Sequence, residues 1–553
     1  MSESEDPIRY RLDQLPAVAV RWRPGAAGPP AVSLRDALVR AHEIAGLTAE
    51  PLGLVSLTTR VLTPLVIDVF GLPVDLDAWA ERWEAGAFDA EAVDRYFAEH
   101  GGRFDLFSPT CPFDQVAGLR TVNDETKPSA VLDPCLPTGN NVPLWSARTE
   151  ANPPALTPVE AFTALEMAHA FDTAAIKSGA VGDPNVRGGK TTGNPVGTLG
   201  AIGLVMPSGR TLFETLLLNV PTFASLADAW SGREDMPHWR RSPATAEWAA
   251  HATAAGILEL YTWQSRRVRL IPERDAAGAI TVRRAVLTAG DRLDQIPPWD
   301  PRTQFRDRER PAAGQSLRMP MRHYPGRTGW RGLSSLLATQ IQTADPRRTM
   351  TARMLVQLGE AFDFGILESG YPLDVVTVGV EYGNQSAVVE SVIAENMPLP
   401  VRVLAADDNL RRAVLDAAEQ GEKVRDALNR LEGNIREAAG GARLPWEKGD
   451  HSGDQVVALL GQEMRWLLVS LRSRANELHE IQRAWERSAW DIASRRGEEL
   501  LAAAEPSSFV RMRGTGGAYN VAVAAGWFYG ALRKALPLAN ESKEQDRNGE
   551  SDE

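Results

Sequence analysis

A glycine-rich segment in the first half of the chain carries cations at a spacing that suits phosphate binding. Residues 177–203 (KSGAVGDPNVRGGKTTGNPVGTLGAIG) contain eight glycines and two prolines. Glycine lets a backbone approach a ligand closely and adopt positive φ angles. With Lys177, Arg187 and Lys190, this glycine loop could follow a phosphate backbone or enter a narrow groove. Composition equally allows a flexible surface linker, so two interpretations stay open.

The sequence Gly188-Gly189-Lys190-Thr191 is similar to the end of a nucleotide-binding P-loop. A P-loop requires a glycine five residues before Gly189, because its backbone amides wrap the phosphates just before a helix begins. Pro184 occupies that position, and Thr-Gly-Asn-Pro after Thr191 is a poor helix start. A P-loop-like NTPase is therefore a weak alternative.

Two further loops carry uncharged groups that suit nucleic acid. Residues 137–148 (PTGNNVPLWSAR) place Asn140, Asn141 and Trp145 among turn formers, where a tryptophan either anchors packing or stacks on a base. Asn384 and Gln385 follow a strand-like run, and adjacent amides can donate and accept at base edges. From these residues alone, a packing anchor and an ordinary strand-end turn are the favoured interpretations.

Signals for catalysis or metal binding are missing from the sequence. The eight histidines show no metal-ligand spacing, two cysteines are too few for a four-cysteine zinc site, and no G-x-S-x-G elbow is present. We therefore predict no catalytic residue, no metal and no cofactor.

Charge argues at first against nucleic acid. The 553 residues include 60 Lys+Arg and 72 Asp+Glu, a net charge of −12. The net charge is unevenly distributed: both ends are acidic, and residues 302–331 form a basic segment with eight arginines and two acidic residues. That basic segment is either a solvated loop or a binding patch. An acidic start without an apolar leader, few cysteines and no run long enough to span a bilayer predict a cytoplasmic chain without a membrane span.

The elements that must position these loops fall into two regions. Mixed patterns over 1–398 predict an α+β domain, with helices at 33–45 and 158–171 and strands at 256–270 and 375–381. Helical patterns at 408–439, 454–474, 477–504 and 520–536 predict a C-terminal four-helix bundle over 399–540. The acidic residues 541–553 predict a disordered tail.

Several separated segments together resemble one family: CasA, the large subunit of the type I-E CRISPR surveillance complex (Cascade). The most specific are RFDLFSPTCPFDQV (103–116) and GILELYTWQSRRVRL (256–270). The others are DQLPAVAVRW (13–22), PTGNNVPLWS (137–146), the glycine loop with TLFETLLLNVP (211–221), TGWRGLSSLL (328–337), TVGVEYGNQSAVVES (377–391) and FYGALRKALP (528–537).

The resemblance implies a non-enzymatic subunit that recognises the protospacer-adjacent motif (PAM) of double-stranded DNA and opens the duplex. It implies crRNA, the backbone, handle-binding and small subunits, and a recruited helicase–nuclease as partners. A scaffold without DNA contact is the second alternative.

The resemblance also implies site residues. Asn140, Asn141 and Trp145 match a loop at the PAM and the crRNA handle. Gly188, Gly189 and Lys190 match the minor-groove loop, and Asn384 and Gln385 match a wedge under the PAM pair. The sequence departs from the family in two ways. Arg292, rather than a lysine, is the nearest candidate for the family's lysine finger. The cysteine cluster of some members is absent, so no zinc is expected.

Overall fold

The computed structural model describes residues 7–136, 138, 152–226, 232–312, 314–338, 349–405, 408–441, 451–510, 512–514 and 517–539. The predicted tail at 541–553 lies outside these residues. Helices and strands are mixed in the first part of the chain and helices dominate the last, which confirms the α+β class with a C-terminal helical region.

The helices within this part of the chain are α1 Leu34–Val39, α2 Pro51–Ser56, α3 Thr63–Phe70, α4 Leu76–Ala85, α5 Ala90–His100, α6 Pro158–Phe171, α7 Leu212–Leu218, α8 Ile257–Tyr261, α9 Leu333–Leu336, α10 Arg353–Asp363, α11 Asp408–Ala438, α12 Val457–Ser473, α13 Leu478–Ala502 and α14 Val521–Ala535.

The strands are β1 Val18–Trp22, β2 Ala31–Val32, β3 Ile44–Leu47, β4 Lys127–Pro128, β5 Lys177–Ser178, β6 Lys190–Thr191, β7 Leu204–Ser208, β8 Arg266–Arg274, β9 Ile280–Ala289, β10 Phe305–Asp307, β11 Arg318–Pro320, β12 Thr349–Met350, β13 Asp374–Gly383, β14 Val388–Pro398, β15 Met512–Gly514 and β16 Gly517–Tyr519.

The chain divides into two compact units. The first comprises Met1–Arg327, Ala338–Ala361 and Leu373–Asn396, and the second comprises Thr328–Leu337, Phe362–Pro372 and Met397–Glu553. The first unit holds small sheets with the strand orders β2-β1-β3, β4-β9-β8, β5-β6, β11-β10-β12 and β14-β13-β7.

A buried apolar cluster lies where α2, α6, β7 and β13 meet in the first unit. Its members are Leu52, Val55, Met167, Ala170, Phe171, Leu199, Ile202, Leu204, Met206, Val378 and Val380. Helix α6 begins with a capping box, because the Thr157 side chain accepts from the Glu160 amide and the Glu160 carboxylate accepts from the Thr157 amide. The end of α6 and the strands packed on it support the loops described below.

Among the described residues, one helical stretch, Pro51–Phe70, is long and apolar enough to cross a membrane. Its most apolar window is 83% buried inside the protein, as expected for a core helix. Arg60 in its centre is fully buried and pairs with Asp114 at 2.8 Å and Glu166 at 3.0 Å.

The second unit contains the long helices α11 to α14. An apolar stripe runs along α11, in which Val424, Leu428 and Leu431 are buried and Ile435 is half-buried. A short earlier segment joins this unit because the Trp330 ring packs directly over Gly421 of α11, where a Cβ atom would lie 2.7 Å from the ring.

Two predicted elements differ from the structure. Residues 256–270 do not form one strand: α8 occupies the first part, and β8 begins only at Arg266. The helix predicted at 33–45 ends at Val39, because residues from Ile44 onward pair with β1 instead.

Candidate nucleic-acid interface

The glycine loop is a β-hairpin with a two-glycine turn at its apex. Strands β5 and β6 pair antiparallel, and Arg187 and Lys190 exchange two backbone hydrogen bonds of 2.9 and 3.1 Å. Between them Gly188 has φ +54° and Gly189 has φ +74°. Positive φ at both central residues is typical of a type I′ turn, which glycine adopts without steric cost.

A buried carboxylate organises the interior of this hairpin. Asp183 accepts hydrogen bonds from the Asn185 amide at 2.8 Å and from the Trp248 indole at 2.9 Å. It also accepts from the Thr191 hydroxyl at 3.3 Å. The segment therefore has its own internal order, and the interpretation as a flexible linker is wrong.

The apex of the hairpin is open to solvent. Gly188 and Lys190 are exposed, and a Cβ atom built on Gly188 would meet nothing within 4 Å. Lys190 and Thr191 form a strand rather than the first turn of a helix, so the phosphate-binding geometry of a P-loop is absent from this segment. The structure therefore argues against the NTPase alternative.

Lys177 is not available to phosphate, which corrects its place among the candidate cations. Its ammonium is buried and lies 2.6 Å from the carboxylate of Asp172. Burial lowers the pKa of Lys177 to about 8, although Asp172 opposes the shift. The Lys177 ammonium therefore stabilises the base of the hairpin and is not exposed at its surface.

Arg266 clamps both legs of the hairpin at this base. Its buried guanidinium pairs with the Asp172 carboxylate and donates to the carbonyls of Thr173 at 2.9 Å and Pro195 at 2.8 Å. Burial alone would raise the pKa of Asp172, but Lys177 and Arg266 outweigh it and lower the pKa. We call Asp172, Lys177 and Arg266 the basal clamp.

The Asn384–Gln385 turn joins β13 to β14 and has an unusual backbone. Asn384, Gln385 and Ser386 have φ values of +43°, +59° and +59°. Residues other than glycine rarely adopt this left-handed region, and three in succession store strain. The turn holds the side chains of Asn384 and Gln385 exposed at its tip.

The same turn is attached to the base of the glycine hairpin. The Ser386 carbonyl accepts from the Ala174 amide at 2.8 Å, and the Tyr382 hydroxyl donates to the Phe171 carbonyl at 2.7 Å. Phe171 ends α6, and Ala174 lies between α6 and β5. The structure thus brings together two loops that are about 190 residues apart in sequence, a proximity that hydrogen bonds of normal geometry support.

Arg292 lies beside the outgoing leg of the hairpin. Its guanidinium donates to the Thr192 carbonyl at 2.6 Å and lies 4.3 Å from the centroid of the Trp248 ring. Burial, followed by the charge of Arg266, lowers the pKa of Arg292. A cation in this setting is a fixed part of the hairpin support rather than a mobile finger. Its contact with DNA stays a prediction.

Asn140, Asn141 and Trp145 lie outside the described residues, so the structure places none of this predicted loop. Within the described ranges, no group of three or more His, Cys, Asp or Glu side chains could hold a metal ion.

Sequence reasoning missed the basal clamp. One signal was available, since Arg266 and Arg267 precede the apolar residues Val268, Leu270 and Ile271 of β8 and both arginines are buried. Buried arginines require carboxylate or carbonyl partners. The partners themselves lie 71 to 94 residues away and no local pattern identifies them.

Comparison with known proteins assigns the family. The model of the family "CRISPR-associated protein Cse1" matches residues 16–495. A "CRISPR-associated protein CasA/Cse1" of Thermus thermophilus is 30% identical over 425 residues, which cover 74% of this chain and 75% of that protein.

Solved structures agree over nearly the whole chain. Cse1 of Thermobifida fusca superposes with a TM-score of 0.82 at 30% identity, covering 96% of this chain and 99% of the other. Cse1 of Acidimicrobium ferrooxidans gives a TM-score of 0.79 at 28% identity, covering 97% and 99%. The chain therefore belongs to the Cse1 (CasA) family of CRISPR-associated proteins.

Proposed function

We propose that this chain is the non-catalytic large subunit of a crRNA-guided type I-E surveillance complex, and that it recognises the PAM and opens the duplex beside it. Two structures to which the chain is similar come from a "CRISPR RNA-guided surveillance complex". The partners we infer are crRNA, target duplex, the other complex subunits and a helicase–nuclease that acts after opening.

One observation carries the proposal: two exposed tips of different chemistry share one buried base. The Gly188–Gly189 turn presents bare backbone, which fits a narrow minor groove whose base-pair code is degenerate. The Asn384–Gln385 turn presents amides, which can fill an opened step and bond to freed bases. Because both tips attach at 171–174, docking of one would place the other at a fixed distance along the duplex.

The energetics suit such a device. Opening one base step costs a few kcal/mol of stacking. Strand exchange with a guide is otherwise near balance, so a small local bias at the first step decides whether it proceeds. Sequence fidelity is left to guide pairing, while the subunit reads the PAM and provides this bias.

The test compares two substrates in the assembled complex. We expect Asn384→Ala with Gln385→Ala to slow R-loop formation on an intact duplex about tenfold, equivalent to about 1.4 kcal/mol. On a target already mismatched at the first position, the loss should be under about twofold, because no step remains to be opened. Stopped-flow fluorescence of a base analogue at that position measures both rates.

The control is Gln462→Ala, an exposed glutamine on α12. It should change neither rate. Equal loss on intact and mismatched targets would refute the wedge, and an unaffected double variant would favour the alternative of a scaffold without DNA contact.

A further inference from the structure

A cavity of about 270 Å³ lies behind the outgoing leg of the glycine hairpin in the first unit. Pro195, whose carbonyl accepts from Arg266, lines one side together with Val196 and Thr198, directly after Asn194, to which Arg292 donates. Arg308 and Arg318 line another side. These two arginines come from the basic segment at 302–331, for which the sequence left open a binding patch or a solvated loop.

The two arginines lack carboxylate partners in the part of the chain that the structure describes. Arg318 begins β11 and Arg308 follows β10, and a 2.7 Å hydrogen bond from the Arg308 amide to the Leu317 carbonyl joins their ends. The Nε atom of Arg308 is buried without a protein acceptor among these residues. Asp307 stands opposite Arg318 in the strand register, yet no ion pair within 4.0 Å links them. A buried guanidinium NH without an acceptor is costly, and a ligand oxygen would satisfy it.

The acidic side chains that line the cavity are already engaged elsewhere. The Asp291 carboxylate accepts from Arg267 at 2.9 Å and from the Ala249 amide at 2.9 Å. The Asp294 carboxylate lies 2.8 Å from the His251 ring. Counting Arg267, which pairs with Asp291, three arginines stand against two carboxylates at the cavity, so the net charge there is positive and favours an anion.

We propose that this cavity binds one nucleotide of single-stranded DNA through its phosphate, which rests on the proposed function of opening a duplex at the neighbouring tips. Guanidinium groups bind phosphate oxygens with paired, charge-assisted hydrogen bonds. The volume is slightly below the range of about 300–1,000 Å³ typical of ligand pockets, which suits one nucleotide and excludes a base-paired duplex. A strand released at the wedge would emerge beside the same hairpin leg, so the cavity would hold it away from its complement.

The test uses the full chain and a fluorescein-labelled oligothymidylate of about 12 nucleotides, long enough for a single-strand site. We expect Arg308→Glu and Arg318→Glu each to weaken binding at least tenfold by fluorescence anisotropy. Arg308→Gln provides a milder variant, and it should lower the slope of log K against log salt by about 0.7. The matched control is Arg95→Glu, the same charge change at an exposed arginine of α5.

Competition identifies the ligand. Thymidine monophosphate should displace the oligonucleotide at lower concentration than inorganic phosphate does. Equal loss in Arg95→Glu, equal competition by inorganic phosphate, or tighter binding of an oligouridylate would each overturn the proposal.

The same titrations separate this inference from the proposed function. Gly188→Asp should abolish PAM-dependent duplex binding and leave oligothymidylate binding unchanged. If the chain shows no PAM discrimination but the two cavity arginines still govern oligonucleotide binding, the proposed function fails and the cavity site stands. Oligonucleotide binding that Gly188→Asp also abolishes would overturn the separate site.

Discussion

At the scale of single residues, the left-handed run at 384–386 is a costly local feature of the site. Each non-glycine residue in this region costs roughly 1–2 kcal/mol. Asparagine tolerates the conformation better than other residues, whereas glutamine gains nothing from it. Strain of this kind persists where the surrounding structure imposes it, and it clusters at functional sites.

We predict that Gln385→Gly stabilises the protein and impairs its function. Glycine removes the Cβ clash at φ +59°, so the free energy of unfolding should rise by about 1 kcal/mol. Duplex opening should slow equally in Gln385→Gly and Gln385→Ala, because both variants lose the side-chain amide. Chemical denaturation measures the first effect, with Gln385→Ala as the control that keeps the strain. A glycine variant no more stable than the alanine variant would show that the turn is not strained at this residue.

We predict that Gly188→Asp abolishes discrimination between PAM and non-PAM duplexes while the protein still folds. The substitution adds a Cβ and a negative charge at an exposed apex where φ is +54°. Gly278→Asp is a matched control, since Gly278 has φ +82° in the turn between β8 and β9, with nothing within 4 Å of a built Cβ. Both should cost roughly 1 kcal/mol of stability. Filter binding to the two duplexes should distinguish them, and equal effects would mean that the apex does not meet DNA.

At the scale of elements, the basal clamp lies at the common base of the glycine hairpin and the Asn384–Gln385 turn. Gly197 allows the legs of the hairpin to close over the end of α6, since its amide donates to the Asp172 carbonyl at 2.9 Å. A Cβ at Gly197 would lie 2.4 Å from the Ala170 backbone. This contact and the clamp hold the hairpin against the segment to which the Asn384–Gln385 turn is bonded.

We predict that Arg266→Met impairs PAM-dependent opening far more than an equally buried control does. The control is Arg302→Met, because Arg302 is also buried and pairs with Asp300 at 2.9 Å. Removing one partner of a buried pair costs about 3–5 kcal/mol, so both variants should be destabilised. At a temperature where both remain folded, R-loop formation on intact duplex should fall at least tenfold in Arg266→Met only.

A milder variant keeps this prediction testable if Arg266→Met does not fold. Lys177→Met leaves Arg266 to pair with Asp172, and it should reduce opening less than Arg266→Met but more than the Arg302 control. Parallel losses in all three variants would mean that the clamp contributes only to stability.

Elements whose determinants are local were predictable from sequence. The helices predicted at 158–171 and 408–439 have local signals, a capping box and an apolar stripe, and both helices were confirmed. Helix α8 was mistaken for a strand because a distant carboxylate caps it. Asp235 accepts from the amides of Leu258 and Glu259, which satisfies two orphan donors in the first turn of a helix that contains the strand-favouring Ile257 and Tyr261.

Only part of the candidate site was predictable from the sequence, again because some of its contacts join residues that are far apart in the chain. The residue types at Gly188, Gly189, Asn384 and Gln385 are visible in the sequence, together with their turns. Their common base depends on Arg266, which no spacing connects to them.

At the scale of the whole molecule, net charge is a poor guide to where anions bind. The eight arginines of the basic segment have different fates in the structure. Arg302 is buried against Asp300, and Arg331 pairs with Glu422 within the second unit. The arginines of the first unit that can bind an anion include Arg308 and Arg318. A few side chains can therefore bind an anion in a chain whose net charge is −12.

Acid should destabilise the first unit through two buried histidines. Burial lowers the pKa of His169 to about 4 and that of His238 to about 3, against about 6.5 in an unfolded chain. The unfolded state therefore binds more protons than the folded state below pH 6.5. Stability that is present above pH 6.5 is lost as the pH falls toward 4.

Charged side chains around the two histidine rings shift their pKa values in both directions. Asp114 faces both rings at 3.5 and 3.8 Å and favours protonation, whereas Arg60, Arg241 and Arg267 oppose it. Burial raises the pKa of Glu166, and the charge of Asp114 adds to this, so Glu166 contributes a slope of opposite sign that offsets part of the effect of the two histidines together.

We predict that His238→Phe loses less stability than the wild type between pH 7 and pH 5. Phenylalanine keeps the edge contact with Phe113, whose ring centroid lies 4.7 Å from that of His238, and it cannot take up a proton. The difference should be on the order of 1 kcal/mol, read from guanidinium midpoints at the two pH values. The exposed His251→Gln should follow the wild type, and a His238→Phe curve parallel to the wild type would contradict the sign.

The two-glycine turn has a consequence for how this protein can change over generations. A single nucleotide change in a glycine codon that alters the amino acid always introduces a side chain, and at φ +54° or +74° every such side chain is strained. Neighbouring exposed positions such as Arg187 and Lys190 carry no such restriction. We therefore expect sequence variation in this hairpin to accumulate around the apex, while Gly188 and Gly189 themselves are retained.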